Sequence, residues 1–148
     1  MSDGATCGFV TSIEFAKNMG ATLGLEILDI QNAHVPPDIM GLGPIPAVKK
    51  ILKRNGIKMT EISAVEMNEA FAIQSLACMN DLGIHPGILN SWGGALALGH
   101  PLGASGLRLM MTLAGRMGER GDVNALGLAT LCVGGGQGVA VLTRLIEL

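Results

Sequence analysis

The sequence predicts a layered α/β fold, with a mixed, largely parallel sheet flanked by helices, and three observations carry that reading. Short apolar runs alternate with longer amphipathic ones along most of the chain, the order that builds strand–helix–strand units. Hydrophobic residues make up 49% of the 148 and charged residues only 15%, against about 25% charged in an average soluble domain, so much of the chain has to be buried. The last two apolar runs, Leu126 to Cys132 and Val139 to Leu145, are separated by Gly134-Gly135-Gly136. That is a tight turn, and it makes them an antiparallel pair.

The elements follow in order. Ala5 to Thr11 reads as a short buried strand and Ser12 to Met19 as a helix stopped by Gly20. Leu25 to Gln31 is a second strand, and Pro36-Pro37 opens a loop. Pro44 and Pro46 flank the start of a helix that runs to Asn55, where Gly56 ends it, since proline suits the first turn and glycine the position past the last. Ile62 to Met67 is a strand, and Glu69 to Leu82 a helix with Phe71, Leu76 and Met79 toward the core and Gly83 as its stop. Ile88-Leu89 is a short strand, and Gly106 to Met117 a further helix. The length fits one domain with a sizeable core.

Charge excludes some functions. The net charge is −2, and the only basic group is Lys49-Lys50 with Lys53-Arg54, which reads as the solvated face of a helix; nucleic acid is not an expected partner. The uncharged stretch from Val123 to Thr143 approaches the length of a membrane span, but its glycine turn and Gln137 divide it into two strands, so no membrane association is expected. The start of the chain lacks the basic-then-apolar pattern of a signal peptide. Cys7, Cys78 and Cys132 show no metal or disulfide spacing, and a reducing cytoplasm is the expected compartment.

Three motifs hold the chemistry-bearing residues. The glycine-rich stretch Asn90 to Gly106 holds His100 between Gly99 and Pro101, just ahead of a helix N-terminus. Leu131-Cys132-Val133-Gly134-Gly135-Gly136 puts a cysteine at the end of an apolar run, and Glu66-Met67-Asn68-Glu69 puts polar residues where a strand gives way to a helix. Asn68, His100 and Cys132 therefore read as a site assembled at three strand ends.

Asn68-Glu69-Ala70-Phe71-Ala72, Gly93-Gly94 through Gly106, and Cys132-Val133-Gly134-Gly135-Gly136 resemble, in order, the three C-terminal motifs of the thiolases. Met40-Gly41-Leu42-Gly43-Pro44 looks like a fourth. Asn68-Glu69-Ala70-Phe71 favours this family over the ketosynthases that share its fold. The resemblance implies residues 23–148 as the C-terminal domain and 1–22 as the end of the preceding half. It implies catalytic roles for His100 as base and enolate ligand, Cys132 as acid/base at the substrate's alpha carbon, and Asn68 as holder of an oxyanion-site water. The N–H of Gly134 would serve the second oxyanion hole, and Met40 and Phe71 would line a short acyl pocket.

On this reading a coenzyme A thioester is the substrate, and no metal or bound cofactor is needed. A lowered Cys132 pKa would suit its role. The family's nucleophilic cysteine belongs to the first half, and Cys7 and Cys78, each read as a buried structural thiol, do not replace it. The chain is thus expected to be inactive alone, and to pair with an N-terminal half or with itself as a homo-oligomer. The alternative is a truncated non-catalytic remnant, or a binding module that keeps the fold. His34 and His85 read as surface residues, and Trp92 has no assigned role.

Overall fold

The computed structural model describes residues 2–148. Four strands form one sheet in the order β1-β4-β3-β2, where β1 is Leu23–His34, β2 Ile62–Met67, β3 Leu126–Val133 and β4 Gln137–Glu147. β4 pairs antiparallel with both β1 and β3, while β2 and β3 run parallel. Three strands therefore point one way and β4 alone opposes them. The strand directions are largely parallel as expected, yet two of the three ladders are antiparallel, because the glycine turn folds β4 back between β1 and β3.

Five helices accompany the sheet: α1 (Ile13–Asn18), α2 (Pro44–Asn55), α3 (Ala72–Leu82), α4 (Ala95–Leu98) and α5 (Leu102–Glu119). Helix α2 starts on Pro44 and ends on Gly56, whose φ of 66° is left-handed, with Lys53 and Arg54 in the last turn, where cations meet the negative dipole end favourably. Helix α3 stops in the same way at Gly83.

The sheet has two covered faces, and the alternation of strand side chains divides them. On one face Ala47, Val48 and Ile51 of α2 and Leu82 of α3 pack on Val65, Leu128, Ala140 and Leu142. On the other, Leu109, Leu113 and Met117 of α5 pack on Ala64, Ala129 and Leu145. All of these side chains are buried, and each large one contributes about 1.5–3 kcal/mol relative to exposure. The result is a helix–sheet–helix sandwich in which β2 is an edge strand and β3 lies beside it.

Several expectations need correction. Residues 2–11 form neither helix nor strand, and Phe9 and Val10 are each 88% exposed. An apolar run becomes a strand only against a neighbour that takes its hydrogen bonds, and no strand of the described residues pairs with this one. Cys7, read as buried, is exposed for the same reason. Phe71 and Leu76, read as core, are 57% and 52% exposed, whereas Met79 does pack on the core. Helix α3 begins at Ala72 instead of Glu69. Leu89 makes one isolated parallel bridge to Val65 and no strand. Helix α5 begins at Leu102, four residues early, running through Gly103 and Gly106.

Candidate active site

Asn68 follows directly on β2, and its N–H donates to the carbonyl of Thr130 on parallel β3 at 2.9 Å. Met67 is in register with Thr130, so Cys132 lies two residues further along the neighbouring strand. Asn68 and Cys132 thus occupy the carboxyl ends of adjacent parallel strands, the place where open α/β sheets present their ligand-binding residues.

His100 arrives differently. It sits in the turn between α4 and α5, not at a strand end as expected. Gly99, with φ of 92°, provides the left-handed backbone before it. Pro101 caps the start of α5, whose first turn returns Ser105 to the imidazole, Nδ1 and Oγ lying 2.6 Å apart. On the other side of the ring, His100 Nε2 lies 3.2 Å from Asn68 Nδ2. The outer oxygen of Asn68 accepts from Arg108 Nη2 at 3.3 Å.

These contacts settle the proton positions. A guanidinium can only donate, so the group of Asn68 that faces Arg108 must be its oxygen, and the amide NH2 must face His100. In the neutral ring Nε2 is then the acceptor and Nδ1 carries the hydrogen, which Ser105 Oγ accepts. Ser105 is left free to donate its own hydrogen to the Pro101 carbonyl at 3.2 Å. The fold therefore holds the lone pair of His100 at Nε2, toward the strand ends.

The supporting contacts are ones that sequence reasoning missed. Glu69 accepts from Asn90 Nδ2 at 2.8 Å and from the Leu96 N–H at 2.9 Å, which ties the Asn68 segment to the helix that delivers His100. Asn90, buried with φ of 44°, bonds both the N–H and the C=O of Met67 at 2.9 Å. Behind them, Arg116 on α5 is buried against Glu66 and donates to the carbonyls of Val65 and Ile88. A polar side chain in an apolar helix, as at Arg108, Arg116 and Ser105, was the available signal.

Cys132 is buried, and burial pushes its thiol pKa up, against the lowering anticipated for it. It keeps its proton, so it suits a donor first. Cys78 is buried too, as expected; burial raises it as well, and its sulfur contacts Gln74 and the Gly41 carbonyl. Gly134 opens the β3–β4 turn, exposed, and among the described residues its N–H donates to no backbone carbonyl. Met40 is half-buried in the 3-10 turn Pro37–Leu42, and Phe71 lies exposed three residues after Asn68. Among the described residues no hydrogen bond joins either to the Asn68–His100 pair. His34 and His85 are exposed, as read.

Residues 21–145 match the family described as the thiolase C-terminal domain. Among solved structures, the fold is similar to the Acat5 thiolase of Ascaris suum in complex with coenzyme A, with TM-score 0.82 and 36% identity over 93% of this chain and 34% of that one. It is similar too to the peroxisomal 3-ketoacyl-CoA thiolase of Saccharomyces cerevisiae, with TM-score 0.80 and 37% identity over 88% of this chain and 36% of that one. The 3-ketoacyl-CoA thiolase of Photobacterium profundum is 48% identical over 145 residues, which are 96% of this chain and 37% of the relative. The layered fold is that of a thiolase-type half. The chain belongs to the thiolase family and corresponds to its C-terminal domain, spanning about a third of the length of the relatives it matches.

Proposed function

We propose that residues 23–148 supply the His/Cys/Asn portion of a thiolase active site, which cleaves a 3-ketoacyl-CoA or condenses two acetyl units on coenzyme A. Residues 1–22 would be the end of the preceding half, and the nucleophilic cysteine would come from that half. The observation that carries this reading is the orientation of His100 Nε2 as an acceptor beside the Asn68 amide NH2. A base is needed to take the nucleophile's proton. Once Nε2 has taken it, the ring becomes a donor, the Asn68 NH2 gives up its bond to Nε2, and that NH2 is free to hold a water. The ring N–H and the water held by Asn68 would then converge as donors on one point, which suits a thioester oxygen that turns enolate-like.

Cys132 then acts at the alpha carbon. In the cleavage direction the bond between carbons 2 and 3 breaks, the acyl group stays on the nucleophile, and the departing acetyl-CoA enolate takes a proton from Cys132. A thiol held protonated by its burial fits that order. Coenzyme A thiol would then release the acyl group. The Gly134 N–H would be one of two donors to the tetrahedral oxyanion, and Met40 and Phe71 would lie along the acyl chain.

The chain alone should give no thiolysis of acetoacetyl-CoA and no acyl-enzyme after incubation with acetyl-CoA, while mixing with a thiolase N-terminal half should restore both. Mass spectrometry and a thiolysis assay read the two. Turnover by the chain alone, with a stable acetyl thioester on Cys7 or Cys78, would sink the reading.

Association is part of the same proposal. Phe9, Val10, Phe15, Met19 and Ile27 leave an apolar surface beside β1, which pairs on one side only within the described sheet. Monomers seldom expose apolar patches beyond a few hundred Å², and an unpaired edge recruits further strands. Without its N-terminal half the chain should run as a dimer or larger species in light scattering at micromolar concentration. A clean monomer would count against a lost partner on this face.

A further inference from the structure

We propose that Arg108 is a positioning residue: by holding the oxygen of Asn68 it fixes which way the amide faces, and through the amide it fixes the tautomer of His100. The inference rests on the reading of His100 as the base, and it assigns the control of that base to a residue two helical turns from Arg116.

The placement is specific. Along β2 the side chains of Ala64 and Glu66 face α5, and Asn68 continues the same alternation one step past the strand. Arg116 meets Glu66 and Arg108 meets Asn68, so one face of the helix addresses two successive positions of one strand. The two arginines differ in what they are given. Arg116 has a carboxylate and two carbonyls, and among the described residues only its Nε lacks a partner. Arg108 makes a single hydrogen bond, to Asn68, and its Nε and Nη1 are buried with no partner among the described residues. Each unmet buried donor costs free energy, and Arg108 leaves two of its nitrogens unmet against one for Arg116, so pairing for stability accounts for Arg108 less well.

What the single bond accomplishes follows from donor and acceptor counting. An amide has one donor end and one acceptor end, and the two ends differ little in shape. Without Arg108, the Asn68 amide could turn over, presenting its oxygen to His100. That oxygen calls for a hydrogen on Nε2, which moves the ring to the other tautomer and leaves Nδ1 as an acceptor for the Ser105 hydroxyl. Both arrangements satisfy Ser105, His100 and Asn68 among themselves. Arg108 distinguishes them most strongly, because a turned amide would face its NH2 toward a group that can only donate. The turned form otherwise gives up only the neutral Ser105 bond to the Pro101 carbonyl, which the Ala104 and Ser105 N–H groups also reach. In the turned state Nε2 already carries a hydrogen and cannot take one from a nucleophile.

The test is the tautomer itself, read in the 148-residue chain by long-range proton–nitrogen correlation of the imidazole nitrogens at a pH where the ring is neutral. His100 signals are identified by their loss in His100→Gln. His85 serves as the reference, since its Nδ1 accepts the Gly87 N–H at 3.1 Å and its neutral ring carries hydrogen on Nε2. Wild-type His100 should show the opposite form, hydrogen on Nδ1. Arg108→Met, which keeps the stem and removes the donors, should shift the ratio of the two His100 forms toward hydrogen on Nε2 by about tenfold or more, the worth of a charged hydrogen bond. Arg108→Lys should restore much of the wild-type ratio.

A folded Arg108→Met chain with the wild-type tautomer overturns the proposal, and so does a Lys variant no better than Met. Should Arg108→Met fail to fold, Ser105→Ala decides: with Arg108 and Asn68 intact, His100 should keep its hydrogen on Nδ1, and loss of that form would assign the control to the serine. Turnover does not enter the measurement, so a failed reconstitution would count against the thiolysis reading and leave the tautomer result standing.

Discussion

In a pair reconstituted with an N-terminal half, His100→Ala and Cys132→Ala should each lower thiolysis by two or more powers of ten, the range expected on losing a general acid or base. The two losses should differ in kind. His100→Ala removes the group that would activate the nucleophile, so the acyl-enzyme itself should form slowly when acetyl-CoA is added. Cys132→Ala leaves nucleophile activation intact, since His100, Ser105 and Asn68 keep their contacts. Transfer of an acetyl group to the nucleophile should survive in that variant, while exchange of the alpha-carbon protons with solvent should stop. Deuterium exchange into acetyl-CoA, followed beside acyl-enzyme formation, separates the two steps. Near-normal exchange in Cys132→Ala would show that its assigned role is wrong. Asn68→Ala should weaken both steps, because Asn68 touches His100 directly and faces the point where the donors converge.

Which parts of this site were legible in the sequence follows from how local each constraint is. Gly56 and Gly83 end their helices at the residues expected, since a left-handed C-terminal stop depends on one residue and its immediate neighbours. Asn68 and Cys132 stand at strand ends as read, because an apolar run and the polar residue that closes it are local features. Ala5 to Thr11 failed where the constraint was not local: its apolar pattern is that of a strand, but pairing needs a neighbour and the described sheet has none to offer. Phe71 was misjudged because a helix beginning at Glu69 would have turned it inward. The chain instead bends at Ala70 and Phe71, the latter with an extended φ of −147°, before α3 starts. The pKa of Cys132 went the other way because the expectation came from the role the resemblance implies, whereas in the fold burial dominates. Arg108, Glu69, Asn90 and Ser105 act through contacts made across 5 to 40 positions. A polar residue in an apolar helix marks Arg108 and Ser105 as unusual, but no pattern along the chain names their partners or those of Glu69 and Asn90. The Arg108 contact appears only once α5 lies on β2.

Removal of Arg116 should produce the largest loss of stability among single substitutions at the polar positions. Arg116 is 1% exposed and Glu66 fully buried, and deleting one partner of a buried ion pair leaves the other charge uncompensated, at a cost of about 3–5 kcal/mol. For a chain of this size that corresponds to a fall in melting temperature on the order of 10 °C. Burial pushes the Glu66 carboxyl above its ordinary value of 4.5, with the Arg116 hydrogen bond and charge pulling the other way and losing. A carboxyl raised in the folded state contributes stability that is complete below its unfolded value and is lost as pH climbs through the folded one. In Arg116→Met the counter-charge is gone, so the folded value should rise further and the loss should deepen above pH 4.5. The penalty should therefore be largest near neutrality and shrink as the pH falls toward 4, where Glu66 can be buried as the neutral acid. Chemical denaturation of wild type and Arg116→Met at several pH values reads this directly, and a penalty that is flat or that grows toward acid would contradict it. Glu66→Leu combined with Arg116→Met should recover much of the loss, since apolar replacement of both partners is often neutral. Recovery should fall short of complete, because the Ile88 carbonyl would still lack the donor that Arg116 Nη2 supplies at 2.9 Å.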